Sequence, residues 1–205
     1  MNRRLGVLIS GRGSNLQSII DAINARQLDA TIAVVLSSRA EAAGLVRARE
    51  AGLEAEVLLP RDYSTREAYD TALATALVGR DVGLVCLAGF MRLVGAPMLD
   101  AFPRRILNIH PSLLPAFPGL DAPAQAIAHG VRVSGATVHF VTAGLDEGPI
   151  VLQAAVPVRD DDTEASLAAR TLVEEHKLYP AAIQLVLSGR WQLDGRRFVR
   201  DHRHA

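Results

Sequence analysis

The chain has 205 residues, enough for one large domain or two closely merged halves around a substantial core. Acidic and basic residues balance at 22 each and aromatics make up 4%, which excludes a broad basic field for nucleic acid and an acidic tail and leaves small molecules as the default partners. No apolar run reaches the ~20 residues of a membrane-spanning helix. The N-terminal MNRRLGVLIS enters a strand pattern too soon for a signal peptide, so a cytoplasmic protein is expected.

Leu5–Ser10 reads as a buried parallel strand. It runs into Gly11-Arg12-Gly13-Ser14-Asn15, and a helix follows with Leu16, Ile19, Ile20 and Ile23 at helical spacing. Strand, glycine loop and helix together point backbone N–H groups at an anion. The glycines permit close approach and positive φ, while Ser14 and Asn15 add side-chain donors and candidate helix caps. Leu16 stands where a dinucleotide fingerprint needs its third glycine, and the lysine of a nucleoside-triphosphate loop is missing. Two readings remain: a site for a compact phosphate monoester, or a tight turn with no ligand.

Thr31–Ser37 is a second strand, Ala42–Ala51 a short helix closed by Gly52, and Ala55–Leu59 a third strand ended by Pro60. Ser64-Thr65-Arg66-Glu67 has the capping-box pattern for a helix carrying Ala68, Ala72, Leu73, Ala76 and Leu77. Arg66 lies in its first turn, where the helix dipole disfavours a cation, and is either a surface residue or a partner for an acidic ligand. Gly83–Ala88 is a fourth strand and holds the single cysteine, Cys86, as a buried reduced thiol. It leads into Gly89-Phe90-Met91-Arg92-Leu93-Val94, which fits either core or the pocket of a flat aromatic ligand. Pro97–Ala101 is a short helix. This alternation predicts an α/β fold with a mainly parallel, twisted sheet flanked by helices, Rossmann-like in its N-terminal half. Ligands of such sheets bind at the strands' C-terminal ends. The glycine loop, the Phe90–Val94 connection and Asn108–His110 would then share one edge.

Leu107–Leu120, LNIHPSLLPAFPGL, begins as a strand and breaks into a turn with Pro111, Pro115 and Pro118. Asn108 and His110 leave that strand on the same face, an amide beside the one side chain that changes charge near neutral pH. The stiff backbone suits fixed-geometry chemistry; the plain alternative is a buried, satisfied polar pair. Pro123–His129 is a helix closed by Gly130. Ser134–Val141 alternates as a strand, with Thr137 and His139 on one face, and pairs antiparallel with Pro149–Val158 across the turn Thr142–Gly148. Asp146 in that turn is either a solvated acid or an orienter for His110. Asp160–Glu164 opens a long helix, which Pro180 kinks or interrupts before Ile183–Leu187. Glu174, Glu175 and His176 read as a solvated face. Trp191–Leu193 and Phe198–Val199 form a terminal hairpin, and the tail with His202 and His204 is a frayed surface segment.

These residues resemble the phosphoribosylglycinamide formyltransferases, folate-dependent enzymes of purine synthesis. The resemblance runs along nearly the whole chain, through VLISGRGSN, TREAYD, LAGFMR, NIHPSLLP, GATVHFV, LDEGPI and EHKLYP. It implies one formyltransferase domain over residues 1–205, with a phosphate-binding half at 1–107 and a catalytic, folate-enclosing half at 108–205 that contains the antiparallel strands. It implies that Asn108, His110 and Asp146 are the catalytic trio. Gly13, Ser14 and Asn15 would hold the ribonucleotide phosphate, and Leu172, Val173, Glu174 and Glu175 would lie near the glycinamide. Arg66, Met91, Arg92, Leu93, Val94, Asn108 and the loop Thr142, Ala143, Gly144, Leu145 and Asp146 would bind folate. The co-substrate would be 10-formyltetrahydrofolate, without a metal, in a monomer or homodimer. A cis Leu114–Pro115 bond is also implied. One departure is Asp121, where many relatives have histidine or asparagine; its carboxylate either changes the polarity near the site or pairs with a base such as Arg132.

The implied reaction moves a formyl group from a folate nitrogen to a primary amine. Asn108 and protonated His110 are the candidate donors to the oxyanion, and Asp146 would orient His110 and favour its charged form. The nearest rival is a 10-formyltetrahydrofolate hydrolase, which would not need the phosphate loop. Others are a metal-dependent hydrolase using His110, His139 and Asp146, and a non-catalytic nucleotide-binding module.

Overall fold

The computed structural model describes residues 2–201, so His202 and His204 lie outside the described residues. The first half runs β1 (Arg4–Ile9), α1 (Ser14–Asn24), β2 (Thr31–Ser37), α2 (Gly44–Glu50), β3 (Ala55–Val57), α3 (Arg66–Val78), β4 (Leu84–Leu87) and α4 (Ala96–Ala101). The second runs β5 (Ile106–His110), α5 (Ala122–Ala128), β6 (Val133–Phe140), β7 (Ile150–Pro157), α6 (Glu164–Leu187), β8 (Trp191–Asp194) and β9 (Arg197–Arg200). All nine strands join one sheet in the order β3-β2-β1-β4-β5-β6-β7-β9-β8.

From β3 to β5 the sheet is parallel; β5–β6 and β6–β7 are antiparallel. The order turns back between β1 and β4, so the loops leaving these two strands flank a topological switch point. Alternate residues of the parallel strands feed two apolar layers. Val7, Ile9, Cys86 and Leu107 join Leu16, Ile19, Tyr179 and Ile183 on the α1–α6 side. Leu8, Leu36, Val85 and Leu87 join Tyr69, Leu73 and Met98 on the α3–α4 side. Coverage on both faces explains why these strands read as continuous apolar runs.

Several helix ends differ from the sequence expectation. The cap of α3 is Thr65, whose hydroxyl accepts from Ala68 N at 3.0 Å, so the box expected from Ser64 to Glu67 does not form. Neither Ser14 nor Asn15 caps α1; Gly13 occupies the cap position at φ +69, and a Cβ there would stand 2.5 Å from Gly44 Cα. Helix α6 carries its capping box at Thr163 and Ser166 and continues through Pro180. Tyr179, Pro180, Ala182 and Ile183 are all buried, so packing of this turn outweighs the proline's lost hydrogen bond.

Tyr179 anchors α6 to the sheet. Its buried hydroxyl points at two carbonyl oxygens on adjacent strands, Leu87 O at 3.0 Å and Leu107 O at 3.1 Å. Tyr179→Phe removes this donor without changing the ring. It is expected to cost about 1–2 kcal/mol, read as a lower urea midpoint with an unchanged m-value.

Candidate active site

The loops leaving β1, β4 and β5 meet at one edge of the sheet. The first two are tied together: Ser10 N donates to Gly89 O at 3.0 Å, and Ser10 Oγ accepts from Met91 N at 2.9 Å. The glycine loop, the apolar connection and the Asn108–His110 strand end are thereby brought to one place, as parallel topology requires.

On β5 and β6, Leu107, Ile109, Val138 and Phe140 point into the α6-side core. The residues between them, Asn108, His110, Thr137 and His139, form cross-strand pairs on the other face. Thr137 Oγ1 donates to Ser112 O at 2.6 Å and accepts from Leu114 N and from Gln153 Nε2. It thereby fixes the turn that contains the cis Leu114–Pro115 bond.

Asp146 reaches this polar face from the β6–β7 loop and is neither free nor fully solvated. One oxygen accepts from Gly119 N at 2.8 Å and lies 3.4 Å from His110 Nδ1; the other lies 3.6 Å from His139 Nε2. The opposite nitrogen of His110, Nε2, faces Phe117 O at 2.8 Å. His139 Nδ1 faces Phe140 O at 2.9 Å; a carbonyl only accepts, so the proton sits on Nδ1. In the neutral ring Nε2 then accepts from Asn108 Nδ2 at 3.2 Å, which fixes the direction of that amide. The Phe117–Gly119 backbone is the site group that sequence reasoning missed. His139 entered the sequence reading beside Thr137 on one strand face and as a ligand of the rival metal-dependent hydrolase, not as a partner of Asn108.

Burial pushes the His110 pKa down, and this outweighs the upward pull of the Phe117 carbonyl and the Asp146 charge. Attraction to Asp146 has the expected sign, favouring the charged ring, but it is smaller than the effect of burial. Burial alone would raise Asp146. The nearby His139 ring, the Gly119 N–H and attraction to the two imidazoles outweigh it and hold the carboxyl below its usual range.

At the glycine-loop end, the first N–H groups of α1 have no intrahelical acceptor. Asn15 is 7% exposed; its Nδ2 donates to Glu175 Oε2 at 2.7 Å, and its Oδ1 is buried without a partner. Glu175 is buried, which pushes its pKa up against the pull of Asn15 and Arg12, so Glu175 is not part of a solvated face. Of Leu172–Glu175 it alone is bonded to the glycine loop; Glu174 pairs with Lys177, and Val173 is exposed. A cavity of about 660 Å³ opens beside the loop between α1 and α6, lined by Ser14, Gln17, Asp21, Arg47, His176 and Lys177 among others.

On the other side, Arg66 and the β4 loop are linked through Asp70. This buried carboxylate accepts from Gly95 N at 2.8 Å and lies 3.8 Å from Arg66 Nε. In the apolar connection Phe90 and Val94 are core, while Met91 and Leu93 are exposed. Leu120 and Leu145 add exposed apolar surface on two further loops of the same edge. Thr142 and Ala143 are exposed, and Gly144 is half-buried. Asp121 does not pair with Arg132, whose partner is Asp160; it is exposed at the start of α5 with φ +55. Among the described residues no group of three His, Cys, Asp or Glu side chains has metal-binding geometry.

The sequence profile described as Formyl transferase matches residues 3–183. The chain belongs to this family. The chain is 58% identical to glycinamide ribonucleotide transformylase 1 from Symbiobacterium toebii; its structure superposes with a TM-score of 0.96, covering 97% of this chain and 94% of that one. It is 44% identical over 187 residues to the phosphoribosylglycinamide formyltransferase of Escherichia coli (strain K12), covering 91% of this chain and 88% of that protein. It is 47% identical over 190 residues to the human trifunctional purine biosynthetic protein adenosine-3, of which it spans 19% of the length, and 93% of this chain is covered. Within the formyl transferase family, the residues of the polar β5–β6 face are the natural place to test chemistry. An NMR titration of the His110 ring is expected to give a midpoint below the ordinary value near 6.5. Asp146→Asn should lower it further, because the carboxylate's attraction is one of the two pulls that raise it, beside the Phe117 carbonyl.

Proposed function

We propose that this protein transfers the formyl group of 10-formyltetrahydrofolate to the amine of 5'-phosphoribosylglycinamide, giving N-formylglycinamide ribonucleotide and tetrahydrofolate in purine biosynthesis. The observation that carries this is the joining of two sites at one sheet edge. A phosphate-type glycine loop is tied through Ser10 to the apolar β4 loop, beside the Asn108–His110–Asp146 group. A hydrolase that gives the formyl group to water has no use for the loop, nor for the buried Asn15–Glu175 pair behind it. In this reading residues 1–107 hold the phosphate and 108–205 carry the chemistry and enclose the folate, in one cytoplasmic domain acting as monomer or homodimer without a metal.

The chemistry follows from the geometry. The amine lone pair attacks the formyl carbon, a C–N bond forms, and the carbonyl electron pair moves onto oxygen. His139 takes one hydrogen of the Asn108 amide and leaves the other for that oxygen. A donor so placed is worth about 2.7–4 kcal/mol in the transition state. His110 Nε2 is committed to Phe117 O, so Nδ1, with only a 3.4 Å approach to Asp146, is the working nitrogen. The ring is neutral at rest; as the oxyanion develops, Nδ1 takes up the proton that the attacking amine releases, and Asp146 beside it holds the imidazolium. That proton then passes from the ring to the leaving folate nitrogen, through Asp146 or an ordered water. The C–N bond to folate then breaks and the carbonyl reforms.

The deciding assay follows loss of the formyl group from 10-formyltetrahydrofolate by absorbance, with and without the ribonucleotide. Turnover only with the ribonucleotide supports the transferase; turnover without it identifies the hydrolase. Asn108→Ala is expected to lower kcat by roughly 10²–10³-fold with an unchanged circular dichroism spectrum and melting temperature. An unaltered kcat removes Asn108 from the oxyanion role.

A further inference from the structure

We propose that Arg47, on α2, supplies the positive charge of the phosphate site and holds its loop in the binding conformation; this rests on the reading of Gly13–Asn15 as a phosphate cradle. Three observations converge on this residue. The first is geometry. Arg47 Nε donates to Arg12 O at 3.0 Å and Nη1 donates to Gln17 Oε1 at 3.3 Å. One side chain thus bonds the residue before Gly13 and the first turn of α1. Its Cδ lies 3.5 Å from where a Cβ on Gly13 would stand, so the stem packs along the loop.

The second is charge. Both bonded acceptors are neutral, and among the described residues no carboxylate forms an ion pair with Arg47. Nη2 makes no hydrogen bond among them. A half-buried guanidinium with Nη2 free and no ion-paired carboxylate suits a dianionic ligand group. Backbone N–H groups and the Ser14 hydroxyl alone would leave such a dianion without a full opposing charge. Of the other nearby cations, Arg12 lies within electrostatic reach of Glu175 and Lys177 is paired with Glu174.

The third is space. Arg47 and Ser14 line the same cavity of about 660 Å³, which runs from the α1 N-terminus along α1 and α6. The buried, unpartnered Asn15 Oδ1 independently marks this end of α1 as built for a ligand, since it lacks a donor that a sugar hydroxyl or an amine would provide.

The test uses isothermal titration calorimetry with ribose 5-phosphate and with inorganic phosphate on the full chain. Arg47→Gln is expected to weaken both by roughly 10- to 100-fold, with a flatter dependence on salt than the wild type. Arg47→Lys keeps the charge and should recover most of the affinity. In steady-state assays Arg47→Gln raises KM for the ribonucleotide while kcat and the folate KM stay within about twofold. Unchanged phosphate affinity in Arg47→Gln overturns the proposal. So does an Arg47→Lys variant as weak as Arg47→Gln, because charge would then contribute nothing. Calorimetry needs no formyl transfer, so wild-type protein that binds ribose 5-phosphate but does not turn over defeats the enzymatic reading alone. A turning-over enzyme indifferent to Arg47→Gln defeats this proposal alone.

Discussion

The candidate site hangs on β5, which pairs in parallel with β4 on one side and antiparallel with β6 on the other. In a wholly parallel sheet, crossover helices cover both faces, and both faces become apolar. Where the sheet reverses, the next strand returns through a turn, and beyond Ile106, which joins the α3–α4 layer, one face of β5–β6 is left to loops. That face can afford polar residues, because loops rather than a helix cover it and loops bring backbone donors and acceptors. Thr137 illustrates this: fully buried, it is satisfied by Ser112 O, Leu114 N and Gln153. The reversal therefore produces a buried polar surface next to a rigid apolar core.

Asp146 stitches that surface together. A buried carboxylate is costly unless paired and hydrogen-bonded, and this one meets two imidazoles and a backbone N–H. Its backbone is at φ +53, a left-handed conformation that non-glycine residues adopt at a cost. Hydrogen bonding to Gly119 recovers part of that cost and ties the hairpin tip to the proline-rich turn. The same balance explains His110. Its two neighbours suit a charged ring, yet burial outweighs them and pulls its pKa down.

The parts of this arrangement that were legible in the sequence were local ones. Asn108 and His110 were placed on one face by strand alternation, and the glycine loop by its position between a strand and a helix. The shared edge followed from parallel topology. What stayed hidden depends on partners far apart in the chain. Glu175 looked solvated beside Glu174 and His176, because nothing local announces Asn15, 160 positions away. The roles of Gly119 and Phe117 are carried by backbone atoms, which sequence does not distinguish. Thr65 rather than Ser64 caps α3, a one-residue difference that local patterns do not resolve. Pro180 reads as a breaker, and only the packing around Tyr179 overrides it.

Cys86 lies in the middle of β4, with no exposed surface and flanking strands on both sides. Burial lifts its thiol far above the usual range, so the reactive thiolate is suppressed in the folded state. It is also the only cysteine in the chain. Labelling by a thiol reagent must then wait for the parallel sheet itself to open. The protein thus carries an intrinsic, single-site clock for the opening of its sheet, and ligands that bind only the folded form should slow that clock in proportion to their occupancy.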